Sequence, residues 1–539
     1  MKRRMLLAMA AVAALSIRAQ IVERQRPAEW SNLVYGARFM DRILPMRTGH
    51  KEFNLWGTDS VRNRYVDNGI ESKDVSFWGG NILQTKDGKY HLYVCGWPES
   101  SPKGHMFWKN STVFHATSNR LDGPYKVENT IGKGHNPEAF RLNDGRIVLY
   151  VIDGYYIGAS EDSKVWYYQQ FQFDARGRRI IEGLSNLTFA RRQDGSYLMV
   201  CRGGGVWISR DGLTPYRQIT SSRVYPAIDG RFEDPVVWRD SLQYHLIVND
   251  WLGRIAYYQR SRDGLHWVTE QGEAYVPGIS VHENGEVEQW YKYERPKVFQ
   301  DKYGRVEQIN FAVIDTVKWN DLPNDNHSSK NICLPTNKGM RLMVINDKPI
   351  TKKTKTVVVR IQAEEGFRPQ QDVDVTSLRF GDYTEVNFGR GARAMSVRQD
   401  GADLIVTFKA SDCKLSDDEF APKMLGRTNS GKLLYGYARL PYVNYQPALL
   451  SAGAPTYHKD RNELSVCVEN FGLSTSKPAQ VEVYQSDKLI AQGTAAALKP
   501  YASCPLQLSP ITHPATDAAF EVVIKQDGKE VERTLFNAK

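Results

Sequence analysis

Residues 232–240, FEDPVVWRD, set two carboxylates, Glu233 and Asp234, side by side ahead of a proline and an apolar run. Crowded carboxylates cannot all ionise freely, so one is driven toward a neutral, proton-holding state while a neighbour stays anionic. Such a pair is the equipment of glycosidic cleavage. One carboxyl protonates the leaving oxygen, and another activates water or attacks the anomeric carbon.

The same stretch recurs with its charges altered. GGNILQTKDGKYHLYVCG, HNPEAFRLNDGRIVLYVID, SNLTFARRQDGSYLMVCR, EDPVVWRDSLQYHLIVND and ERPKVFQDKYGRVEQINFAVID each carry a polar residue, a short apolar run, a turn and a second apolar run ending in a polar residue. Aligned, the leading residues are Asn81, Asn136, Asn186, Asp234 and Arg295; one residue earlier stand Gly80, His135, Ser185, Glu233 and Glu294. The trailing residues are Gly96, Asp153, Arg202, Asp250 and Asp315. The apolar positions repeat while the polar ones diversify, which is what a site requires and a purely structural repeat does not.

Each copy reads as a β-hairpin, with Asp-Gly in three of the turns supplying the positive φ such turns need. In a hairpin the start of the first strand and the end of the second share one edge. The leading residues are 55, 50, 48 and 61 apart, about the length of one four-stranded propeller blade. The expected fold is therefore all-β: a five-bladed β-propeller over residues 30–348, with the three rings of polar residues gathered at one mouth of the central channel. Strand alternation would let only one of Glu233 and Asp234 face the axis. Alignment makes Asp234 that residue, with Asp250, Glu294 and Asp153 as its catalytic partners. Arg202, Arg295 and Asp315, with the three asparagines, His135 and Glu233, would contact substrate. Trp78, Trp97 and Trp251 near the mouth read either as core between blades or as stacking platforms for a sugar ring.

Beyond residue 350 the rhythm changes to strands without a comparable polar constellation. Residues 349–452 read as a β-sandwich-like domain and 453–539 as a C-terminal immunoglobulin-like sandwich. Basic MKRR, an apolar run and small residues to Ala19 form a signal-peptide pattern over residues 1–19, so an exported protein, periplasmic or secreted, is expected. No later segment is apolar enough to span a membrane. Removal of the signal takes the formal charge from +10 to +6, with no basic cluster interleaved with aromatics of the kind nucleic-acid binders carry. Six scattered cysteines make no disulfide framework and no metal spacing; Cys95 and Cys201 read as buried hydrophobes, and only Cys467 with Cys504 invites a test for a bridge. No cofactor is expected. A hard cation such as calcium could be held through water by His135 or the aspartates, but no spacing demands one.

The chain resembles the five-bladed β-propeller glycoside hydrolases, the group that includes families 32, 43 and 117. The lines FWGGNILQTKDGKYHLYV, GHNPEAFRLNDGR, FEDPVVWRD and YERPKVFQD carry the resemblance. It implies an exo-acting enzyme releasing sugars from plant or algal oligosaccharides or polysaccharides, including anionic ones. The sequence departs from family 43, which usually has acids where Asn81, Asn136 and the Ser185–Asn186 pair stand. Two alternatives follow: a glycan-binding propeller without turnover, or a uronate-processing lyase using arginines to neutralise a carboxylate.

Overall fold

The computed structural model describes residues 21–53, 61–160, 164–213, 215–327, 329–515 and 518–537. The signal segment expected at 1–19 lies outside the described residues. The chain is all-β, and no described helical segment exceeds seven residues. Among the described residues no helix is long and apolar enough to cross a membrane.

From residue 75 to 335 the chain builds five sheets in succession, each running in chain order from an inner strand outward, except that the third sheet carries at its outer edge the earlier strand Phe173–Asp174, paired parallel to Tyr216–Gln218. The inner strands are Val75–Gln84, Glu138–Arg141, Thr188–Arg191, Phe232–Arg239 and Lys292–Gln300. Each touches the next. Asn81 exchanges two hydrogen bonds with the backbone of Ala139 (2.6 and 2.8 Å), and Glu138 accepts from the backbone of Phe189 at 2.9 Å. Val237 N–H donates to Thr188 Oγ1 at 3.1 Å, and Asp234 pairs with Arg295 at 3.0 Å. The first inner strand then packs on the fifth. The chain around Ile70 also trades two backbone hydrogen bonds with Asn331 on the fifth sheet's outermost described strand. Apolar side chains fill the spaces between sheets; Leu198, Val200, Val237, Leu246 and Tyr257 do so between the third and fourth. Truncating a core leucine there removes about 2–5 kcal/mol.

One backbone feature sets the site. At an equivalent place at the head of each inner strand the chain is left-handed: Gly79 (φ +50°), Asn136 (+54°), Asn186 (+49°), Asp234 (+55°) and Arg295 (+51°). Pairing slips there in the first, fourth and fifth sheets, the mark of a bulge. Asn and Asp tolerate this conformation because their short polar side chains bond locally, whereas Arg295 adopts it at a cost of about 1–2 kcal/mol. The structural equivalent of Asn136 in the first sheet is thus Gly79, not Asn81, which lies two residues further along the strand. The residue preceding the bulge in that sheet is Trp78, not Gly80.

After the five sheets comes one seven-stranded mixed sheet spanning Met340–Val344 to Leu433–Arg439, in which those two strands run parallel. Met340–Val344 belongs to this sheet, although the sequence division placed it in the first unit. Two four-stranded sheets follow between Leu450–Ala452 and Lys529–Phe536, enclosing a core that includes Val466, Val481, Ala491 and Ile524. In that pair Cys467 and Cys504 are both free thiols. Cys504 is opposite Val468, so it shares the inward face and Cys467 the outward one, and the register forbids a bridge. Cys95 and Cys201 are buried, as expected of small hydrophobes.

Candidate functional site

The left-handed residues organise the head of the inner strands into three tiers. The outermost holds Trp78, His135, Ser185, Glu233 and Glu294; the middle holds Gly79, Asn136, Asn186, Asp234 and Arg295; the third holds Asn81, Glu138, Thr188, Val236 and Lys297.

In the middle tier the polar side chains form a chain of contacts. Asn136 donates to Asn186 Oδ1 at 2.8 Å, and Asn186 Nδ2 reaches both Asp234 Oδ1 (2.9 Å) and Glu233 Oε1 (3.1 Å). Both carboxylates therefore converge on one amide. Strand alternation forbade this, but the left-handed φ of Asp234 interrupts the alternation and swings the two side chains to the same region. Asp234 is buried and spent: it accepts from Arg295 Nη1 at 3.0 Å and from Arg295 N–H at 3.2 Å. Glu233 is the carboxyl that reaches the surface, its side chain 19% exposed beside Arg202 at 3.5 Å. The axial role expected of Asp234 falls to Glu233, and Asp234 holds the frame.

Glu294 is the second carboxylate of the outer tier, its side chain only 1% exposed. Lys292 Nζ lies 2.7 Å from one oxygen and Lys318 Nζ contacts the other. The two groups are driven in opposite directions. Burial, with the adjacent Asp234 and Glu294, pushes the Glu233 carboxyl up, so that it keeps its proton longer than an ordinary glutamate. Burial also raises Glu294, but Lys292 and Lys318 outweigh it and hold Glu294 well below the usual carboxylate range.

The remaining expected residues divide sharply. His135 Nδ1 bonds Ser111 Oγ at 2.9 Å, and burial, followed by Arg295 and Lys318, keeps the imidazole neutral; it is not a proton donor at neutral pH. Asp250 is fully buried, accepting from Arg24 Nε (2.8 Å) and the backbone of Arg231 (3.0 Å) and Gly253 (3.2 Å). It pins the amino-terminal strap to the fourth sheet and has no part in the cluster. Asp153 is exposed in the two-residue turn between Ile147–Val151 and Gly154–Gly158, with φ +73°. Asp315 joins a different acid group: burial and the charges of Asp321, Asp325 and Asp315 push Glu99 up to about 7. Strand-end position alone did not predict inward aim: the Asp250 side chain caps a backbone donor of its own turn, Asp153 lies within a turn, and Asp315 sits beside His327.

Trp78 and Trp97 are buried edge-on against His105 (4.5 and 4.9 Å between ring centroids), so they are core between sheets. Trp251 is partly exposed, with Lys292 Nζ 4.7 Å from its ring centre. Asn81 is consumed by the backbone of the second sheet. Sequence reasoning missed Lys292, Lys318 and Tyr275, and Trp108, whose ring packs against His135 at 4.9 Å between centroids. The 14-residue excursion between Val306–Ile314 and Ser329–Pro335, which delivers Lys318, was the available signal.

Among the described residues, six buried polar atoms around this cluster have no hydrogen-bond partner: Arg295 Nε and Nη2, Asn136 Oδ1, Tyr275 Oη, Arg202 Nε and Glu294 Oε1, the last held only by the charge of Lys292. In the third tier, below these atoms, Lys297 and Glu138 form an ion pair. Among the described residues no group of three or more His, Cys, Asp or Glu could hold a metal ion.

No protein-family model matches the chain, and no curated protein matches it. Among solved structures it is similar to a family 117 glycoside hydrolase of the marine bacterium Zobellia galactanivorans, at 13% identity over 55% of this chain and 90% of that one, with a TM-score of 0.39. It is also similar to an α-L-arabinofuranosidase from Lactobacillus brevis (10% identity, 52% of this chain and 94% of that one, TM-score 0.35). A third likeness is to an endo-arabinase from Bacteroides thetaiotaomicron VPI-5482 (12%, 53% and 98%, TM-score 0.31).

Proposed function

We propose that the chain is an exported, exo-acting glycoside hydrolase, built on a five-bladed β-propeller carrying β-sandwich domains, that releases sugars from plant or algal oligosaccharides, anionic ones included. The observation that carries this reading is the divergence of Glu233 and Glu294. Two neighbouring carboxyls whose surroundings push their proton affinities apart are assigned as an acid and an anion. Glu233, open to the mouth and slow to ionise, donates its proton to the glycosidic oxygen as the bond to the anomeric carbon breaks. Glu294, held anionic by two lysines, stabilises the positive charge that develops on the sugar ring. Water supplies the hydroxyl that replaces the leaving group. Asp234, Arg295 and Asn186 position Glu233, and the partly exposed face of Trp251 takes the ring.

A second reading, a glycan-binding protein without turnover, is favoured by the burial of Glu294 beneath Lys292 and Lys318, which leaves one carboxyl open at the mouth. Purified protein incubated with a panel of oligosaccharides, with released sugar followed by chromatography, separates the two. Release that is lost in Glu233→Gln supports the hydrolase; saccharide binding by calorimetry with no release supports the second reading. Wild-type rates in Glu233→Gln would overturn the assignment of the acid.

A further inference from the structure

A cavity of about 300 Å³ lies at the hairpin-turn ends of the fourth and fifth sheets, where the seven-stranded sheet meets them. It is lined by Trp238, Asp240 and His245 from the fourth sheet, by Arg42 and Arg305, and by Arg341, Tyr435, Tyr437 and Arg439 from the seven-stranded sheet. Its volume is at the lower end of small-molecule sites, and junctions between structural units are a favoured location for them.

The charges on its wall do not balance. Asp240 is the one carboxylate in the lining, and it is already engaged by His245 Nε2 at 3.0 Å and by the backbone of Leu242 and Gln243, both at 2.8 Å. Two of the cations have acids of their own: Arg305 pairs with Asp301 and Glu364, and Lys338 with Glu307. Three arginines do not. Arg42, 3% exposed, bonds Tyr437 Oη at 2.8 Å and is otherwise solvated by the rings of Phe39, Tyr258 and Tyr435; its Nε has no partner. Arg341 stacks on Tyr303 at 4.0 Å and Arg439 on Tyr445 at 4.4 Å. Among the described residues none of the three has a carboxylate within ion-pairing distance. Stacking occupies the face of a guanidinium and leaves its N–H edge to bind an oxyanion. Of the three, Arg42 is buried, Arg341 half-buried and Arg439 exposed at the rim. Arg42 reaches a carboxylate only through Tyr437, whose hydroxyl donates to Glu270 at 2.7 Å, and an anion in the adjoining space relieves its buried charge.

We propose that this cavity is a binding site for a small oxyanion-bearing molecule, no larger than a monosaccharide, held by Arg42, Arg341 and Arg439. The site is independent of the cluster around Glu233 and of any turnover there.

The test is calorimetric titration of the whole protein, at constant ionic strength, with inorganic phosphate, citrate, galacturonate and, as a neutral match, galactose. The Arg341→Met/Arg439→Met variant keeps an apolar stem against each tyrosine. A control, Lys352→Met/Lys353→Met, removes the same charge from exposed positions outside the cavity. Saturable binding of at least one anion, weakened about tenfold or more in the arginine variant and unchanged in the control, is expected. Phosphate without galacturonate marks a free inorganic or phosphorylated ligand, and galacturonate without phosphate a sugar acid. Equal losses in the two variants, no saturable anion, or galactose binding as well as galacturonate would overturn the proposal. If the arginine variant does not fold, a wild-type crystal soaked in selenate decides: an anomalous peak between Arg341 and Arg439 supports the site, and peaks only elsewhere overturn it.

Discussion

Two successive tiers of the same five inner strands use buried charge in opposite ways. In the third tier Glu138 accepts from Thr188 Oγ1, from the backbone of Phe189 and from Lys297, while both ends of the Asn81 amide bond Ala139. No polar side-chain atom of that tier is left without a partner among the described residues. Two residues nearer the mouth, Arg295 Nε and Nη2 and Asn136 Oδ1 lack partners among the described residues, and just beyond them Glu233 and Glu294 are pushed apart in proton affinity. A saturated tier has nothing to offer a ligand; an unsaturated one, maintained at a cost in stability, does. The difference separates a bolt from a site within a single set of strands, although both are built from acids, bases and amides.

The comparison breaks if the two tiers respond alike to loss of a carboxylate. The largest expected effect is on turnover: Glu233→Gln removes the transferable proton while keeping the amide shape, and kcat falls by about 10²–10⁴ with little change in melting temperature. Glu138→Gln should do the reverse. It leaves Lys297 buried without its counter-charge, so denaturant unfolding should show a loss of about 3–5 kcal/mol, while the folded fraction keeps its specific activity. A smaller effect attends Lys318→Met, which takes one of two lysines from Glu294. The carboxylate then ionises at higher pH, and the acid limb of the kcat/KM profile moves upward by about one unit.

Much of the architecture was legible because hairpins repeat: Asp-Gly turns and alternating apolar runs locate the inner strands of all five sheets. The site was legible only in part. Asn-Pro, Asp-Pro and Arg-Pro point to the heads of three inner strands, but nothing in the sequence says that Asp234 is left-handed, and that one dihedral exchanges the roles of Asp234 and Glu233. The first sheet was misaligned because Gly79 fills, without a polar side chain, the position that Asn136, Asn186, Asp234 and Arg295 mark with one; Asn81 was the nearest polar residue. Asp153, Asp250 and Asp315 look equivalent on the page and differ in space, since the segment after each strand sets where its side chain goes. Lys318 arrives on an excursion that no repeat contains.

The finest test concerns pH and the like charge beside Glu233. Burial and Asp234 both raise the Glu233 carboxyl above its unfolded value, so the protonated form is the one favoured by folding. Its contribution to stability is complete below the unfolded glutamate range and is lost as pH rises through the raised folded value. Glu294 runs the other way. Its depressed value means stability present above the unfolded range and lost as pH falls toward the folded one. In the proposed mechanism the acid form of Glu233 is the active one, so the alkaline limb of the rate profile should follow its ionisation. Asp234→Asn retains an oxygen to accept from Arg295 but removes the repulsion, and the alkaline limb should move to lower pH by about one unit or less. A shift to higher pH, or an alkaline limb that stays where it was in both Asp234→Asn and Glu233→Asp, would mean that another group supplies the proton.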